Sequence, residues 1–213
     1  MKKIIFLLTL SILCVGISFA QTKTRLGVTA GLNVSNENYS GDISLSTDYK
    51  AGFQAGVIAD FGISEKFSIM PELLFSQRGT KYSMSAAGNS VKFSETLNYL
   101  QLPINAAYKF DVGVGSKVFV FAGPYFGYGL SGNDKLETTV DGQKYNQSEK
   151  VTFGSNADDA KAFDFGINVG VGYEYEKIFF KLQWNPGLMN LSNVSGTSVR
   201  NTNIAVSVGY FFN

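Results

Sequence analysis

The sequence contains no histidine, a single cysteine and only four prolines among 213 residues. Histidine is the usual general base of enzymes and the commonest metal ligand, so catalysis here would have to depend on carboxylates or lysine. No segment has EF-hand spacing, and Gly170-Val171-Gly172 is not a nucleotide-binding loop, because no helix is predicted after it. We therefore expect no catalytic residue, no metal site and no cofactor.

The N-terminus has the pattern of a secretory signal peptide. Lys2 and Lys3 precede an apolar run, Ile4–Ile17, and a small-residue cleavage site ends at Ala20. This pattern predicts removal of residues 1–20, with cleavage between Ala20 and Gln21. The alternative is a single transmembrane anchor, but the run is short for a membrane-spanning helix and a cleavage signature follows it.

Cleavage at this point would remove Cys14 and leave a mature chain with neither thiol chemistry nor a disulfide. Lipidation of Cys14 is not expected, because Leu13 stands where a lipoprotein signal has a small residue. Cleavage also removes two of the 18 basic residues and none of the 17 acidic ones, which leaves a net charge of −1. This balance gives no indication of nucleic-acid binding. The remaining 193 residues, 21–213, suit one domain.

Eight segments of the mature chain alternate apolar residues with small or polar ones, which is the pattern of β-strands with two different faces. They are Thr24–Val34, Tyr49–Phe61, Phe67–Arg78, Leu97–Phe110, Lys117–Ser131, Phe163–Tyr175, Ile178–Leu188 and Asn203–Asn213. All eight are 11–15 residues long, which exceeds the usual soluble strand of roughly 5–6 residues. Short connections alternate with long ones, and the long ones are Ser35–Asp48, Gly79–Thr96, Gly132–Ala162 and Met189–Thr202.

No further apolar run is long enough for a membrane helix, so a membrane location would require a closed barrel. Long strands, alternating short and long connections and aromatic residues near strand ends are typical of such barrels. The predicted fold is therefore all-β: an eight-stranded antiparallel up-and-down transmembrane β-barrel of the OmpA/OmpX type. A soluble lipocalin-like barrel or a β-sandwich would alternate in the same way, but the many glycines on the polar faces favour a narrow, crowded lumen.

Two features fit regular strands less well. In Lys117–Ser131 both faces carry aromatic residues, so a bulge near Gly123-Pro124 is expected to switch the faces. Proline cannot donate a ladder hydrogen bond, yet every proline falls inside a predicted strand, and we expect these residues at bulges or strand ends. The prolines are Pro71, Pro103, Pro124 and Pro186.

The last strand, Asn203–Asn213, ends in aromatic residues. Its apolar face includes Val208, Tyr210 and Phe212, whereas the other face is small or polar until Phe211. Such a strand resembles the C-terminal targeting strand of outer-membrane barrels, which the barrel-assembly machinery receives. The resemblance implies a location in the bacterial outer membrane, in contact with lipid and lipopolysaccharide. An even number of strands would put both mature termini on the periplasmic side.

Six short motifs stand within or next to the predicted strands. They are Pro71-Glu72-Leu73-Leu74-Phe75-Ser76-Gln77-Arg78-Gly79, Tyr99-Leu100-Gln101-Leu102-Pro103, Gly123-Pro124-Tyr125, Asp164-Phe165-Gly166, Gly170-Val171-Gly172-Tyr173-Glu174 and Asn185-Pro186-Gly187-Leu188. With these motifs the mature chain resembles the PorT-like outer-membrane β-barrel family of the Bacteroidetes. The resemblance implies the barrel fold and is not specific for one function. Because the family's namesake belongs to the type IX machinery for protein export, it adds secretion-machinery proteins to the expected partners by fold-level analogy.

Nine charged residues fall on the polar strand faces and are expected to face the lumen. They are Arg25, Lys50, Asp60, Glu72, Arg78, Lys109, Asp164, Glu174 and Lys181. A proton or substrate path would use such residues, but charges inside a membrane barrel must pair and eight strands leave room only for side chains. We therefore expect a structural salt-bridge network, in which Glu72 and Arg78 are pairing residues on one strand face.

The long loops are the remaining place for function. The segment Asn36–Asp48 carries Glu37, Asp42 and Asp48 without a basic residue, and Gly132–Lys161 carries six acids against four lysines. Such loops would either bind a cation or a partner, or lie solvated over the lipopolysaccharide surface.

Three function classes remain open. The first is a non-enzymatic structural or interaction barrel that acts through its extracellular loops or its rim. The second, from the family resemblance, is an accessory subunit of protein export. The third is a small-solute channel or an enzyme. Small-barrel membrane enzymes such as lipid A deacylases and outer-membrane proteases resemble this architecture, but each uses a histidine and this chain has none.

Overall fold

The structure is a computed structural model that describes residues 24–41, 46–86, 88–156 and 159–212. The predicted signal peptide and its cleavage site at Ala20 and Gln21 lie outside the described residues. Within those ranges, no helix is long and apolar enough to cross a membrane.

The described residues form one antiparallel sheet of ten strands. These are β1 (Thr24–Gly41), β2 (Asp48–Gly62), β3 (Phe67–Arg78), β4 (Thr80–Ala86), β5 (Asn89–Gly113), β6 (Ser116–Val140), β7 (Gln143–Val151), β8 (Phe163–Tyr175), β9 (Ile178–Pro186) and β10 (Thr197–Phe211). Eight of them pair in the circular order β1, β2, β3, β5, β6, β8, β9, β10, and the pairing of β10 with β1 closes the barrel. The predicted all-β, eight-stranded antiparallel barrel is confirmed.

The barrel strands turn an apolar face outward and a mainly small or polar face inward. In β10, for example, Val206 and Val208 are exposed, whereas Asn203 and Ser207 are buried. Successive side chains of a strand point to opposite faces, so the alternation in the sequence becomes an apolar outer wall and a polar lumen. Phe211, which breaks the small-polar pattern of the inner face, is fully buried there.

At one end of the barrel the strands continue beyond the predicted limits. We call this the loop end. The opposite end is called the turn end; it has the short connections, and β1 begins there at Thr24 and β10 ends there at Phe211. β5 and β6 are each 25 residues long, and β4 and β7 pair with their loop-end parts. The prediction of long loops at Gly79–Thr96 and Gly132–Ala162 is therefore wrong. These segments form hairpins. Because β7 is exposed on both faces almost throughout, its sequence does not alternate apolar with polar residues, and the strand was not predicted.

The aromatic residues of β6 lie on both faces without a change of face. Phe119, Phe121 and Tyr125 are buried, and the register with β8 is continuous through Gly123 and Pro124. The bulge expected there is therefore wrong. The inward rings fit because the adjacent inward positions of β8 are glycines, where a Cβ atom would meet the rings. These glycines are Gly172 beside Phe119, Gly170 beside Phe121 and Gly166 beside Tyr125.

Three of the four prolines lie inside strands rather than at bulges or strand ends, so that expectation is also wrong for them. At each of Pro71, Pro103 and Pro124, one neighbouring ladder omits two residue pairs, but the register is the same on both sides of the gap. The missing N–H group of each proline thus interrupts the hydrogen-bond ladder locally, but no extra residue is inserted as it would be in a β-bulge. Pro186 is the last residue of β9, as expected for a strand end.

Candidate functional site

The lumen holds three groups of ion pairs stacked along the barrel, and the first lies at the turn end. Arg25 of β1 pairs with Asp60 of β2 (Nη2–Oδ2 2.6 Å) and with Glu174 of β8 (Nη1–Oε1 2.6 Å). Lys109 of β5 pairs with the same Asp60 oxygen at 2.5 Å. The Arg25 guanidinium also lies 4.1 Å from the centre of the Phe211 ring. Four strands are thereby joined through charges that would otherwise be costly to bury.

The second group lies in the middle of the barrel. Lys181 of β9 donates to Glu72 of β3 with an Nζ–Oε1 distance of 2.5 Å, and both side chains are about 1% exposed. The ammonium group lies 5.8 Å from the ring centres of both Phe121 and Phe179. Glu72 and Lys181 belong to strands that are not neighbours in the barrel, so the pair crosses the lumen.

A chain of amide side chains continues from this pair across the remaining lumen. The Asn105 amide contacts Glu72 at 3.4 Å, Asn168 donates to Asn105 at 3.0 Å, and Asn185 donates to Asn168 at 2.6 Å. Asn203 completes the chain with a 3.1 Å bond to Asn185. Asn105, Asn168 and Asn185 fall on the polar faces of their strands by alternation, but no role for them was predicted from the sequence. The signal that would have found the chain is one inward asparagine on each of four strands.

The third group lies toward the loop end. Arg78 of β3 lies 3.8 Å from the Asp164 carboxylate of β8 and donates to the Gln101 side chain at 2.9 Å. Asp164 also accepts bonds from the Tyr125 hydroxyl at 3.2 Å and from Asn201 at 3.1 Å. Glu72 and Arg78 therefore each pair with a charge from another strand, and not with one another.

Eight of the nine charges predicted to face the lumen thus take part in ion pairs, and Lys50 is the exception among the described residues. Its ammonium group lies at the loop end and donates to Ser94, to the Glu95 carbonyl oxygen and to the Thr96 hydroxyl. Lys50 therefore binds the backbone and hydroxyl groups of β5 where that strand leaves the barrel.

Two cavities open at opposite ends of the barrel and have no lining residue in common. The turn-end cavity, of about 520 Å³, is lined by basic and acidic residues in balance, among them Arg25, Asp60 and Lys117. Between the cavities lie the Glu72–Lys181 pair, the asparagine chain and the inward aromatic rings. Side chains therefore fill the lumen between the two cavities, as expected for a barrel of eight strands.

The loop-end cavity, of about 410 Å³, has a different character. Its lining includes Glu37, Glu95, Asp134, Glu149 and Asp159. Apolar and aromatic side chains complete the wall, among them Tyr39, Tyr99, Leu97, Leu191 and Val199. Among the described lining residues, Lys150 is the one basic side chain. In the sequence these acids fall in three separate segments that were predicted as long loops, Ser35–Asp48, Gly79–Thr96 and Gly132–Ala162. Glu95 was not singled out, and nothing in the sequence brought the five acids together.

This acidic group lies beyond the apolar outer wall. The outward apolar row of β1 ends at Val34 and is followed by Asn36 and Asn38 on the same face. Glu37 lies between these asparagines, and Glu95 faces Asp134 in the register between β5 and β6. The cluster therefore belongs to the part of the sheet that extends past the membrane-facing segments.

Burial and mutual repulsion make these carboxyl groups hold protons more tightly than usual. Burial raises the pKa of Glu37, and hydrogen bonds from Glu95 and Tyr39 partly oppose that rise. Burial, and then the nearby Glu37 charge, raise the pKa of Glu95 well above its ordinary value. The same two causes, with Glu149, raise the pKa of Asp134 to about 6. Glu37 and Glu95 therefore titrate as a pair, and the two carboxyl groups share a proton.

Many solved structures resemble this chain. Ail, the attachment invasion locus protein of Yersinia pestis, is 11% identical with a TM-score of 0.42, covering 89% of this chain and 99% of that one. Neisserial surface protein A is 13% identical with a TM-score of 0.41, covering 87% and 96%. OprG from Pseudomonas aeruginosa is 11% identical with a TM-score of 0.41, covering 92% and 99%.

No curated protein matches the sequence. The model of the outer membrane protein beta-barrel domain family, however, matches residues 19–193, which is most of the chain and includes nine of its ten strands. That match agrees with the closed antiparallel barrel, its apolar outer wall and its polar lumen. The chain belongs to the outer membrane protein beta-barrel domain family.

Proposed function

We propose that this protein is a non-enzymatic interaction protein of the bacterial outer membrane, in which a closed barrel supports a binding surface at the loop end. The observation that carries the proposal is the filled lumen: the buried Glu72–Lys181 pair crosses it at mid-height. A barrel closed by side chains offers no route for a solute, which leaves the loop end as the place for recognition. The turn end, with both termini, would then face the periplasm.

The loop-end sheet has two chemically different faces, which suits recognition. Residues paired in register share a face, and the strands concerned are β4, β5, β6 and β7. One face carries lysines, namely Lys81, Lys92, Lys135 and Lys144. The other carries apolar and aromatic residues, namely Tyr82, Met84, Val91, Phe93, Leu136 and Tyr145. Large apolar side chains on a projecting sheet are typical of an interaction surface.

The closed-scaffold part of the proposal is tested by conductance in planar lipid bilayers. The detergent-purified protein is expected to insert without stable single-channel steps, because the Glu72–Lys181 pair and the asparagine chain lie across the lumen at mid-height. Reproducible steps that depend on ion type would overturn the proposal and favour the small-solute channel. The single tryptophan, Trp184, lies on the outer wall and its fluorescence reports correct insertion in the same preparation.

The interaction part is tested by site-specific photo-crosslinking in cells. A photoreactive residue at Tyr145, on the apolar face of the loop-end sheet, is expected to trap a partner. Val114, fully exposed in the β5–β6 turn at the turn end, is the matched control position. Crosslinks from Val114 with none from Tyr145 would move the functional surface to the turn end.

We also infer that the chain belongs to the PorT-like branch of the barrel family. Supporting this, three of its motifs meet at one place in the lumen: the Tyr125 hydroxyl donates to Asp164 and lies beside Gly187, and the Tyr125 ring lies against Gly166. Residues that pack on each other are the ones that a fold family must keep together. An accessory role in protein export follows by analogy with the family's namesake. Secretion of export substrates by a deletion strain tests it: unchanged secretion would refute the export role and leave the interaction role.

A further inference from the structure

The acidic loop-end cavity contains carboxylate oxygens that the protein itself does not satisfy. Glu95 and Asp134 are half-buried residues, but Glu95 Oε1 and Asp134 Oδ1 are themselves buried and have no hydrogen-bond partner among the described residues. Buried acceptors without a donor are costly, and native proteins keep them mainly where something else supplies the donor. Both side chains line the same cavity. The cavity therefore lacks hydrogen-bond donors at defined positions.

The charge of the cavity favours a positively charged donor for these oxygens. The lining carries five acids, Glu37, Glu95, Asp134, Glu149 and Asp159, against Lys150 alone among the described lining residues. The Lys50 ammonium is nearby, but its hydrogen bonds go to Ser94, Thr96 and the Glu95 carbonyl oxygen. The excess of negative charge in a partly enclosed space favours a cationic ligand.

The geometry favours an organic cation over a metal ion. Among the described residues, no group of three carboxylates converges closely enough to hold a metal. The wall between the carboxylates is apolar or aromatic, with Leu97, Leu191 and Val199 beside Tyr39 and Tyr99. Methylene groups pack against such a wall, whereas ammonium groups bind the carboxylates and the aromatic faces. A volume of about 410 Å³ is of the size of small-molecule sites.

We propose that the loop-end cavity binds an aliphatic polyamine, whose ammonium groups donate to Glu95 Oε1 and Asp134 Oδ1 and whose methylene chain lies against the apolar wall. This site rests on the proposed function, since it gives a ligand class to the loop-end surface. Binding requires ionised carboxyl groups, so the ligand displaces the proton that Glu95 shares with Glu37. The charged groups that face Asp134 are Glu37, Glu149 and Lys50, together with Glu95, its partner in register on β5.

The test is isothermal titration calorimetry of spermidine into the detergent-purified protein, freed of lipopolysaccharide, at pH 7.5 and constant ionic strength. We expect saturable binding that Glu95→Gln and Asp134→Asn each weaken by about tenfold to a hundredfold, since each removes one charge-assisted hydrogen bond. Glu137→Gln is the matched control, because Glu137 is an exposed acid of the same strand β6 on the opposite, lysine-bearing face. It is expected to leave the affinity unchanged.

Calcium chloride titrated in place of spermidine separates the two kinds of cation. Calcium binding that Asp134→Asn abolishes, with no spermidine binding, would overturn the polyamine proposal. Equal weakening by Glu137→Gln and Glu95→Gln would also overturn it, because the attraction would then be a general effect of charge. Folding of each variant is checked by its heat-dependent mobility in detergent gels.

The affinity for spermidine is further expected to fall as the pH is lowered through about 6, where Asp134 takes up its proton. An affinity independent of pH between 5 and 8 would overturn the assignment of Asp134 as a ligand. Failure of this site and failure of the proposed function remain distinguishable. Absence of spermidine binding by a non-conducting barrel refutes the site alone, whereas channel activity refutes the closed scaffold.

Discussion

Replacing Lys181 by methionine is expected to destabilise the barrel by about 3–5 kcal/mol, the usual cost of removing one partner from a buried ion pair. Both side chains of the Lys181–Glu72 pair are about 1% exposed, and 2.5 Å separates Nζ from Oε1. Methionine keeps the length of the lysine stem, so packing changes little. The variant leaves Glu72 with the Asn105 amide at 3.4 Å, and Glu72 Oε2 has no partner among the described residues.

The measurement is urea-induced unfolding of the protein in lipid vesicles, followed by the fluorescence of Trp184. Trp184 is the single tryptophan and lies half-exposed on the outer wall, so unfolding moves it from lipid to water. Lys117→Met is the control, since Lys117 pairs with Asp111 at 3.7 Å and their side chains are 36% and 67% exposed. Such a surface pair is worth about 1 kcal/mol or less. The urea dependence m is expected to stay constant while the midpoint shifts.

The double variant Lys181→Met with Glu72→Gln isolates the charge of the pair. Because a neutral buried pair avoids an uncompensated carboxylate, the double variant is expected to be more stable than Lys181→Met alone. The reasoning is refuted if Lys181→Met costs no more than Lys117→Met. It is also refuted if the two single costs simply add, since the residues would then not interact.

Two further outcomes are expected. Gly209→Ala should lower the free energy of unfolding by about 1–3 kcal/mol, because the added Cβ meets the Phe179 ring. Gly113→Ala is the control and should leave the free energy of unfolding unchanged, since the atom nearest to its added Cβ is 3.8 Å away. Equal urea midpoints for the two variants would contradict this expectation. The pKa of the Asp134 carboxyl, measured by ¹³C NMR, should be about 6, and Glu37→Gln should lower it. An Asp134 pKa at the ordinary value for aspartate in the unsubstituted protein would contradict this prediction. Since the folded state binds this proton more tightly than the unfolded state, Asp134 should make loop-end stability fall as the pH rises from about 4 to 6, measured by hydrogen exchange.

The sequence was sufficient to predict the barrel because strand alternation is a local property. Its period-two pattern marks where a strand has two different environments, lipid on one side and lumen on the other. The same pattern failed at the loop end. β7, from Gln143 to Val151, is exposed almost throughout, so nothing selects apolar residues at alternate positions. The bulge predicted in β6 was wrong for a different reason. Phe119 and Phe121 point into the lumen because glycines on β8 leave room for their rings. The sequence of β6 alone does not show which residues the neighbouring strand places beside it.

For the candidate sites as well, some features follow from the sequence and others only from the tertiary structure. The chain itself determined the closed barrel, the inward position of the nine charges and the absence of histidine, since each follows from residue type and alternation. The tertiary structure decided which charges pair, as Glu72 with Lys181 and Arg78 with Asp164, because partners come from strands distant in sequence. It also decided that Glu37, Glu95 and Asp134 line one cavity. Register between strands and closure of the barrel set these distances, and neither can be read from a single strand.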